Sequence, residues 1–311
     1  MSVNYAIGVD LGGTFIKFAL VDQEGNKITD GITATQTEKG CEVVINNIIA
    51  SIDEMLRFDP NITSSVIGIG IGTPGIVENG VVIGGAENLP NWFDLSLAEK
   101  LEKRFSLPVF IDNDANLMGL GEVGFGAAKS SSDIVFLTVG TGIGGAMYLN
   151  GQLYSGYRNR GGELGHMIIK SDGVDCECGA KGCLEAYAST TALVKDYVSH
   201  CDHGDKGAVD GKYIIAKYKS NDSLAQDVMN RHWDYLGDGI VGIINLFAPQ
   251  KVVIGGGISE AGEFYFEALR QKVANKVMSE TSQFTEIVPA ELGNAAGIFG
   301  AVSLVFNSNK N

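Results

Sequence analysis

The sequence predicts an α/β protein of two lobes facing one cleft, on three observations. Short apolar runs of strand length alternate with segments whose apolar residues recur at helical spacing. A strand, a glycine turn carrying threonine and a returning strand occur twice, about 130 residues apart, which points to two related lobes. The 311 residues suffice for two cores, and the 42 glycines cluster beside apolar strands, where turns let backbone approach a ligand.

The first repeat opens with the strand Tyr5 to Val9, which runs into Asp10, Gly12, Gly13 and Thr14. Strands follow over Phe15–Val21 and Lys27–Thr35. Val44, Ile48, Ile52 and Met55 recur at helical spacing and predict a helix over 41–57. Val66–Ile71 reads as a buried strand leading into Gly72-Thr73-Pro74-Gly75. Leu97, Leu101 and Phe105 suggest a helix before the strand Val109–Ile111. The second repeat has a strand Ile134–Val139, a turn Gly140–Gly145 and a strand Ala146–Leu149. A long helix over Ser223–Ala248 then reaches Pro249, the strand Lys251–Ile254 and the turn Gly255–Gly257. Glu263–Met278 and Gly297–Phe306 read as helices, and the polar stretch His200–Asp222 has no clear period.

Hydrophobic residues at 45% and charged residues at 19% are ordinary for a soluble globular chain. The net charge of −14 opposes binding to nucleic acid or anionic membrane, so an anionic ligand needs local backbone donors and a metal ion. No apolar stretch has the length of a membrane span. The opening MSVNYAIGVDLGG has neither a basic nor an apolar signal region, so a cytoplasmic location is expected.

In a reducing compartment, clustered cysteines are more often metal ligands than disulfides. Cys176, Cys178 and Cys183 fall within eight positions, and His166 lies ten residues before the first. These four ligands are what a closed tetrahedral structural Zn²⁺ site requires, with Gly179 and Gly182 easing the loop around the ion. Glu163 and Glu185 bracket the set, so the zinc loop looks like scaffolding for a polar small-molecule site. Cys41 and Cys201 read as ordinary thiols.

Three glycine runs suggest a nucleotide. At Asp10-Leu11-Gly12-Gly13-Thr14, backbone N–H groups and the Thr14 hydroxyl can reach phosphate, and Asp10 can hold Mg²⁺ through water. The turn Gly140–Gly145 offers a second cradle, and Gly255–Gly257 gives close approach for an adenine–ribose moiety. None fits the P-loop pattern, which needs a lysine. Asp112-Asn113-Asp114-Ala115-Asn116 follows a strand, and a helix N-cap explains one of its polar residues rather than all. A carboxylate there can accept the proton of a sugar hydroxyl attacking a γ-phosphate, and Asp114 is the candidate.

These motifs are identified as those of the ROK family (repressor, open reading frame, kinase), within the actin-like ATPase group. To the residues quoted above the resemblance adds Glu87-Asn88-Leu89-Pro90, Gly161-Gly162-Glu163-Leu164-Gly165-His166 and Cys176-x-Cys178-Gly179-x-x-Gly182-Cys183-x-Glu185. The motifs run in family order over nearly the whole chain, with no departure at a motif position. The resemblance implies a two-lobed actin-like ATPase (ribonuclease H-like) fold. Residues 1–113 would form the N-terminal lobe, joined by a C-terminal helix at 298–311, and 114–297 a larger lobe with the zinc loop. Asp114 would be the general base for a sugar 6-hydroxyl. Gly75, Asn88, Asn113, Glu163, His166 and Glu185 would contact the sugar, with His166 serving zinc as well. Asp10 stands beside the nucleotide positions, which are Gly12, Gly13, Thr14, Thr141, Gly142, Gly144, Gly256 and Gly257.

The implied activity is ATP-dependent 6-phosphorylation of a hexose, glucose first, in a homodimer or homotetramer. The alternatives are an acetamido hexose (N-acetylmannosamine or N-acetylglucosamine) or a β-glucoside. A sugar-responsive repressor of the same family is disfavoured, because nine residues before Asp10 leave no room for a helix-turn-helix and the charge is wrong.

Overall fold

The computed structural model describes residues 3–86, 89–201, 209–282 and 284–308. In chain order the strands are β1 (Tyr5–Leu11), β2 (Phe15–Asp22), β3 (Lys27–Ala34), β4 (Val66–Thr73), β5 (Ile76–Glu78), β6 (Val81–Gly84), β7 (Val109–Asn113), β8 (Ile134–Val139), β9 (Ile143–Leu149), β10 (Gln152–Tyr154), β11 (Lys251–Gly255) and β12 (Glu286–Pro289). The helices are α1 (Cys41–Leu56), α2 (Pro60–Thr63), α3 (Leu97–Phe105), α4 (Asp114–Phe125), α5 (Leu184–Ala188), α6 (Thr190–His200), α7 (Gly211–Lys219), α8 (Ser223–Phe247), α9 (Glu263–Ala274), α10 (Ser279–Ser282) and α11 (Ala296–Ser308). The chain divides into two compact units. One holds Met1–Ser130, Ser155–Gly161 and Glu291–Asn311, and the other Ser131–Tyr154 and Gly162–Ala290.

The first unit carries a sheet of order β3-β2-β1-β4-β7. Strands β1, β2 and β3 pair antiparallel, while β4 runs parallel to β1 and to β7. Central β1 is buried from Ala6 to Leu11, as a strand covered on both faces must be. Its Ile7, Val9 and Leu11 join the core formed with Val44, Ile45, Ile48 and Ile52 of α1. Ala6, on the opposite face, packs with Ile298, Val302 and Val305 of α11.

The second unit repeats that topology in the order β10-β9-β8-β11-β12, with β8, β9 and β10 antiparallel and β8, β11 and β12 parallel. Its core gathers Val228, Trp233, Leu236 and Ile240 of α8 with Tyr265, Phe266 and Leu269 of α9. The twice-occurring strand–turn–strand pattern is therefore the start of two like-ordered sheets.

Some boundaries differ from the sequence reading. The compact division falls after Ser130 rather than after Asn113, because α4 packs against α11 of the same unit. There Gly300 lies so close to α4 that a Cβ would be 1.8 Å from the Leu117 carbonyl oxygen. Strand β9 begins at Ile143, not Ala146, so Gly144 and Gly145 are strand residues. Helix α9 ends at Ala274 instead of Met278, and α7 forms inside the stretch that showed no period.

Candidate active site

In the first unit the candidate residues stand at the carboxyl ends of parallel strands. Asp10 follows Val9 in β1, and β7 ends in Asp112 and Asn113. Asn113 is the N-cap of α4: its Oδ1 accepts from Ala115 N–H at 2.9 Å and Asn116 N–H at 3.3 Å. Its Nδ2 donates to the Gly75 carbonyl at 3.0 Å. Asp112 accepts from Asn116 Nδ2 at 2.9 Å, so these two buttress the cap, and burial pushes the Asp112 carboxyl above the usual range. Asp114 is the first residue of α4, and its Oδ1 accepts from Ala115 N–H at 2.9 Å. The polar run thus separates into two buttresses, one cap and one carboxylate at a helix N-terminus.

Asp10 is nearly buried, and that burial raises its pKa to about 6, with Lys17 pulling it down and Asp114 pushing it up. Gly297, in the first turn of α11, comes so near that a Cβ there would lie 2.6 Å from the Asp10 carboxyl carbon. Gly75 has φ of +93°, and a side chain would meet the Gly84 carbonyl oxygen at 2.5 Å, so only glycine suits the position. Gly12, Gly13 and Thr14 form the β1–β2 turn, held by Gly12 N–H donating to the Phe15 carbonyl at 3.0 Å and Thr35 Oγ1 donating to the Gly12 carbonyl at 2.7 Å. Asn88 lies outside the described residues.

In the second unit, Thr141 and Gly142 sit in the β8–β9 turn, where Gly140 N–H donates to the Gly142 carbonyl at 2.9 Å. Gly144 lies in β9. Gly256 follows β11 with φ of +81° and approaches β8 so closely that a Cβ would lie 2.4 Å from the Val139 carbonyl oxygen. Gly257 has open space where a side chain would go. Thr141, Gly142 and Glu185 border a cavity of about 720 Å³ that Ser189, Lys195 and Arg231 also line. The sequence reading missed these last three. Ser189 is the N-cap of α6, a signal available in the sequence, whereas Lys195 and Arg231 carry no motif.

His166, Cys176, Cys178 and Cys183 converge, their ligand atoms all within 4.8 Å of one another. His166 Nδ1 lies 3.7 Å from Cys176 Sγ, and Cys178 and Cys183 have their Sγ atoms 3.7 Å apart. That separation is far beyond an S–S bond of ~2.05 Å. It matches the ~3.8 Å edge of a tetrahedron with ~2.3 Å metal–sulfur bonds, so the donors fit one four-coordinate cation. The loop reaches this geometry through Gly182, whose Cβ would lie 1.9 Å from the Lys170 carbonyl oxygen, and through Tyr187, whose hydroxyl accepts from Val174 N–H at 2.7 Å. Glu163 is exposed, just before the turn Leu164–His166, and Glu185 lies in α5.

The ROK family model matches residues 6–308. The glucokinase of Thermotoga maritima is 38% identical over 96% of both chains. The xylose repressor of Bacillus subtilis is 32% identical over 97% of this chain and 77% of its own length. A ROK family glucokinase from Streptomyces griseus, solved with glucose and AMPPNP, superposes with a TM-score of 0.81 at 30% identity, covering 98% of this chain and all of that one. The actin-like α/β fold, the order of the motifs and the family match over nearly the whole chain agree, and the chain belongs to the ROK family.

Proposed function

We propose that the protein is an ATP-dependent hexose 6-kinase that converts ATP and D-glucose to ADP and glucose 6-phosphate. The carrying observation is the division of labour at β7–α4. Asn113 takes the cap and Asp112 pairs with Asn116, while the Asp114 carboxylate is presented at the helix start near Asp10. The 38% identity to the Thermotoga maritima glucokinase supports the same reading.

In this mechanism Asp114 accepts the proton of the sugar 6-hydroxyl as that oxygen attacks the γ-phosphorus. Phosphoryl transfer needs little covalent help from the protein, so the remaining residues position and neutralise. Gly75, Asn88, Asn113, Glu163, His166 and Glu185 hold the sugar. Gly12, Gly13 and Thr14, with Thr141, Gly142 and Gly144, offer N–H and hydroxyl donors to phosphate, and Gly256 and Gly257 give the nucleoside close backbone approach. Asp10 would hold Mg²⁺ through water, and the bound ion would neutralise phosphate charge. In the second unit His166, Cys176, Cys178 and Cys183 would hold Zn²⁺. Four protein ligands leave no open position, so its part is structural. His166 turns Nδ1 toward the thiols, which leaves Nε2 for a sugar hydroxyl. A homodimer or homotetramer and a cytoplasmic location belong to the same reading; among the described residues no helix is long and apolar enough to cross a membrane.

Initial rates with glucose, N-acetylmannosamine, N-acetylglucosamine and a β-glucoside, each with ATP and Mg²⁺, test the proposal. The highest kcat/KM is expected with glucose. A higher value for an acetamido hexose would replace the substrate. Sugar binding without ADP release from any sugar would favour the regulator reading that the xylose repressor relative represents.

A further inference from the structure

Glu185 sits where the metal loop meets the phosphate turn. Its Oε2 accepts the Ile143 N–H at 2.8 Å, at the point where the turn becomes β9, and its Oε1 comes within 4.0 Å of Cys176 Sγ. A Cβ on Gly142 would lie 2.3 Å from the same Oε2, with no other atom so close, so the carboxylate fills the space beside the turn. The turn is pinned on its other side as well. Thr190 N–H donates to the Gly140 carbonyl at 2.8 Å, and Ser189 N–H donates to the Glu185 carbonyl at 3.1 Å. One short segment, Glu185 to Thr190, therefore holds both ends of the Gly140–Ile143 turn.

We infer that Glu185 is a positioning residue for the nucleotide as well as a sugar contact, coupling sugar recognition to the phosphate-binding turn; this rests on the kinase reading. If the metal loop were scaffolding for the sugar site alone, loosening it would weaken sugar binding and spare the nucleotide. The Glu185–Ile143 bond argues for coupling instead. A carboxylate that accepts a backbone N–H fixes that amide's direction, and the neighbouring turn amides must be aimed to bind phosphate. The coupling runs both ways. A side chain at Gly142 would push aside the flexible Glu185 carboxylate rather than backbone, and so disturb the sugar contact from the nucleotide side.

The test is calorimetric titration of AMPPNP without sugar, and of glucose without nucleotide, on the full chain and three variants with equal bound zinc. Glu185→Ala is expected to weaken AMPPNP about tenfold, the scale of one lost hydrogen bond to a charged acceptor. Glu185→Gln keeps an acceptor for Ile143 N–H, so AMPPNP affinity should return to within about threefold of the parent while glucose affinity stays reduced. Gly142→Ala should weaken glucose by about tenfold although it alters no sugar contact of its own. Parental AMPPNP affinity in Glu185→Ala, or parental glucose affinity in Gly142→Ala, overturns the coupling. So does failure of Glu185→Gln to restore AMPPNP binding, which would mark a general loss of local structure. A parent chain that binds neither ligand removes the kinase reading, and the inference with it.

Discussion

The two sheets share strand order and strand directions, yet corresponding strands end in different chemistry. In the first unit, β1 carries Asp10 near its end, and β7 ends in Asp112 and Asn113 with Asp114 next. In the second, β8 is followed by Gly140, β11 ends in Gly255 and β12 by Ala290. One frame thus presents carboxylates, and the other presents backbone N–H groups. The second unit draws a partly buried carboxylate, Glu185, from a helix beside the cluster of His166 and three cysteines rather than from a strand end. Proton transfer and cation binding suit the first arrangement, and anion binding suits the second.

The largest expected effect breaks the first unit's side of that comparison. Asp114→Asn keeps the size and one acceptor but cannot take a proton, so kcat should fall about 10²- to 10⁴-fold with glucose affinity nearly kept. Steady-state rates and a glucose titration measure both, and a near-parental kcat removes Asp114 as the base.

Burial sets the next two effects, and they have opposite signs. In the second unit His232 is buried with its Nε2 2.7 Å from the Tyr265 hydroxyl, and burial lowers its pKa to about 4. Its folded pKa lies below the unfolded value, so the buried neutral form contributes fully above about pH 6.5. That contribution is lost as pH falls toward 4, by about 3 kcal/mol in all. Urea unfolding between pH 7 and 4.5 should show the loss, and His232→Asn should flatten it. An unchanged slope in the variant would assign the loss elsewhere.

Asp10 behaves inversely. Its folded pKa of about 6 exceeds the unfolded value, so its burial is costless below about pH 4 and destabilising above 6. In Mg²⁺-free buffer Asp10→Asn should stabilise the chain at pH 7 by up to about 3 kcal/mol, less whatever the nearby N-terminus of α11 already offsets, while lowering turnover. No stabilisation at pH 7, or the same gain at pH 3.5, would contradict that account.

The smallest effect concerns the metal loop. On the proposed zinc reading, Cys178→Ala should lower the zinc content and weaken glucose about 10- to 100-fold through lost geometry. Metal analysis and titration check it, and a metal-free variant with parental glucose affinity would sever the loop from the site.

Much of this was legible from local signals. Four donor residues at close spacing marked the loop where His166, Cys176, Cys178 and Cys183 converge, and strand–turn–strand repetition marked the two like sheets. Other features depend on partners far along the chain. Gly144 and Gly145 read as turn because glycine runs usually are, but they belong to β9, where a Cβ on Gly145 would meet Leu164 at 2.8 Å. The role of Asn113 as the cap emerges only when Ala115 and Asn116 are seen to donate to it. Glu122 carries no motif either, yet its buried carboxylate accepts N–H groups from Ala127, Glu291 and Leu292 and ties α4 to the entry of α11. No periodicity reports a bond between residues 42 positions apart, such as Ile143 to Glu185.

In the proposed mechanism the Asp114 carboxylate, at the start of α4, takes the proton of a hexose 6-hydroxyl as that oxygen attacks ATP. This step is tested most directly by incubating the protein with glucose, ATP and Mg²⁺, locating the phosphate by NMR, and repeating with 6-deoxyglucose. The expected result is ADP with phosphate on the C6 oxygen, and a 6-deoxyglucose that competes with glucose but releases no ADP. Phosphate at any other position, or ADP formation driven by 6-deoxyglucose, would contradict it.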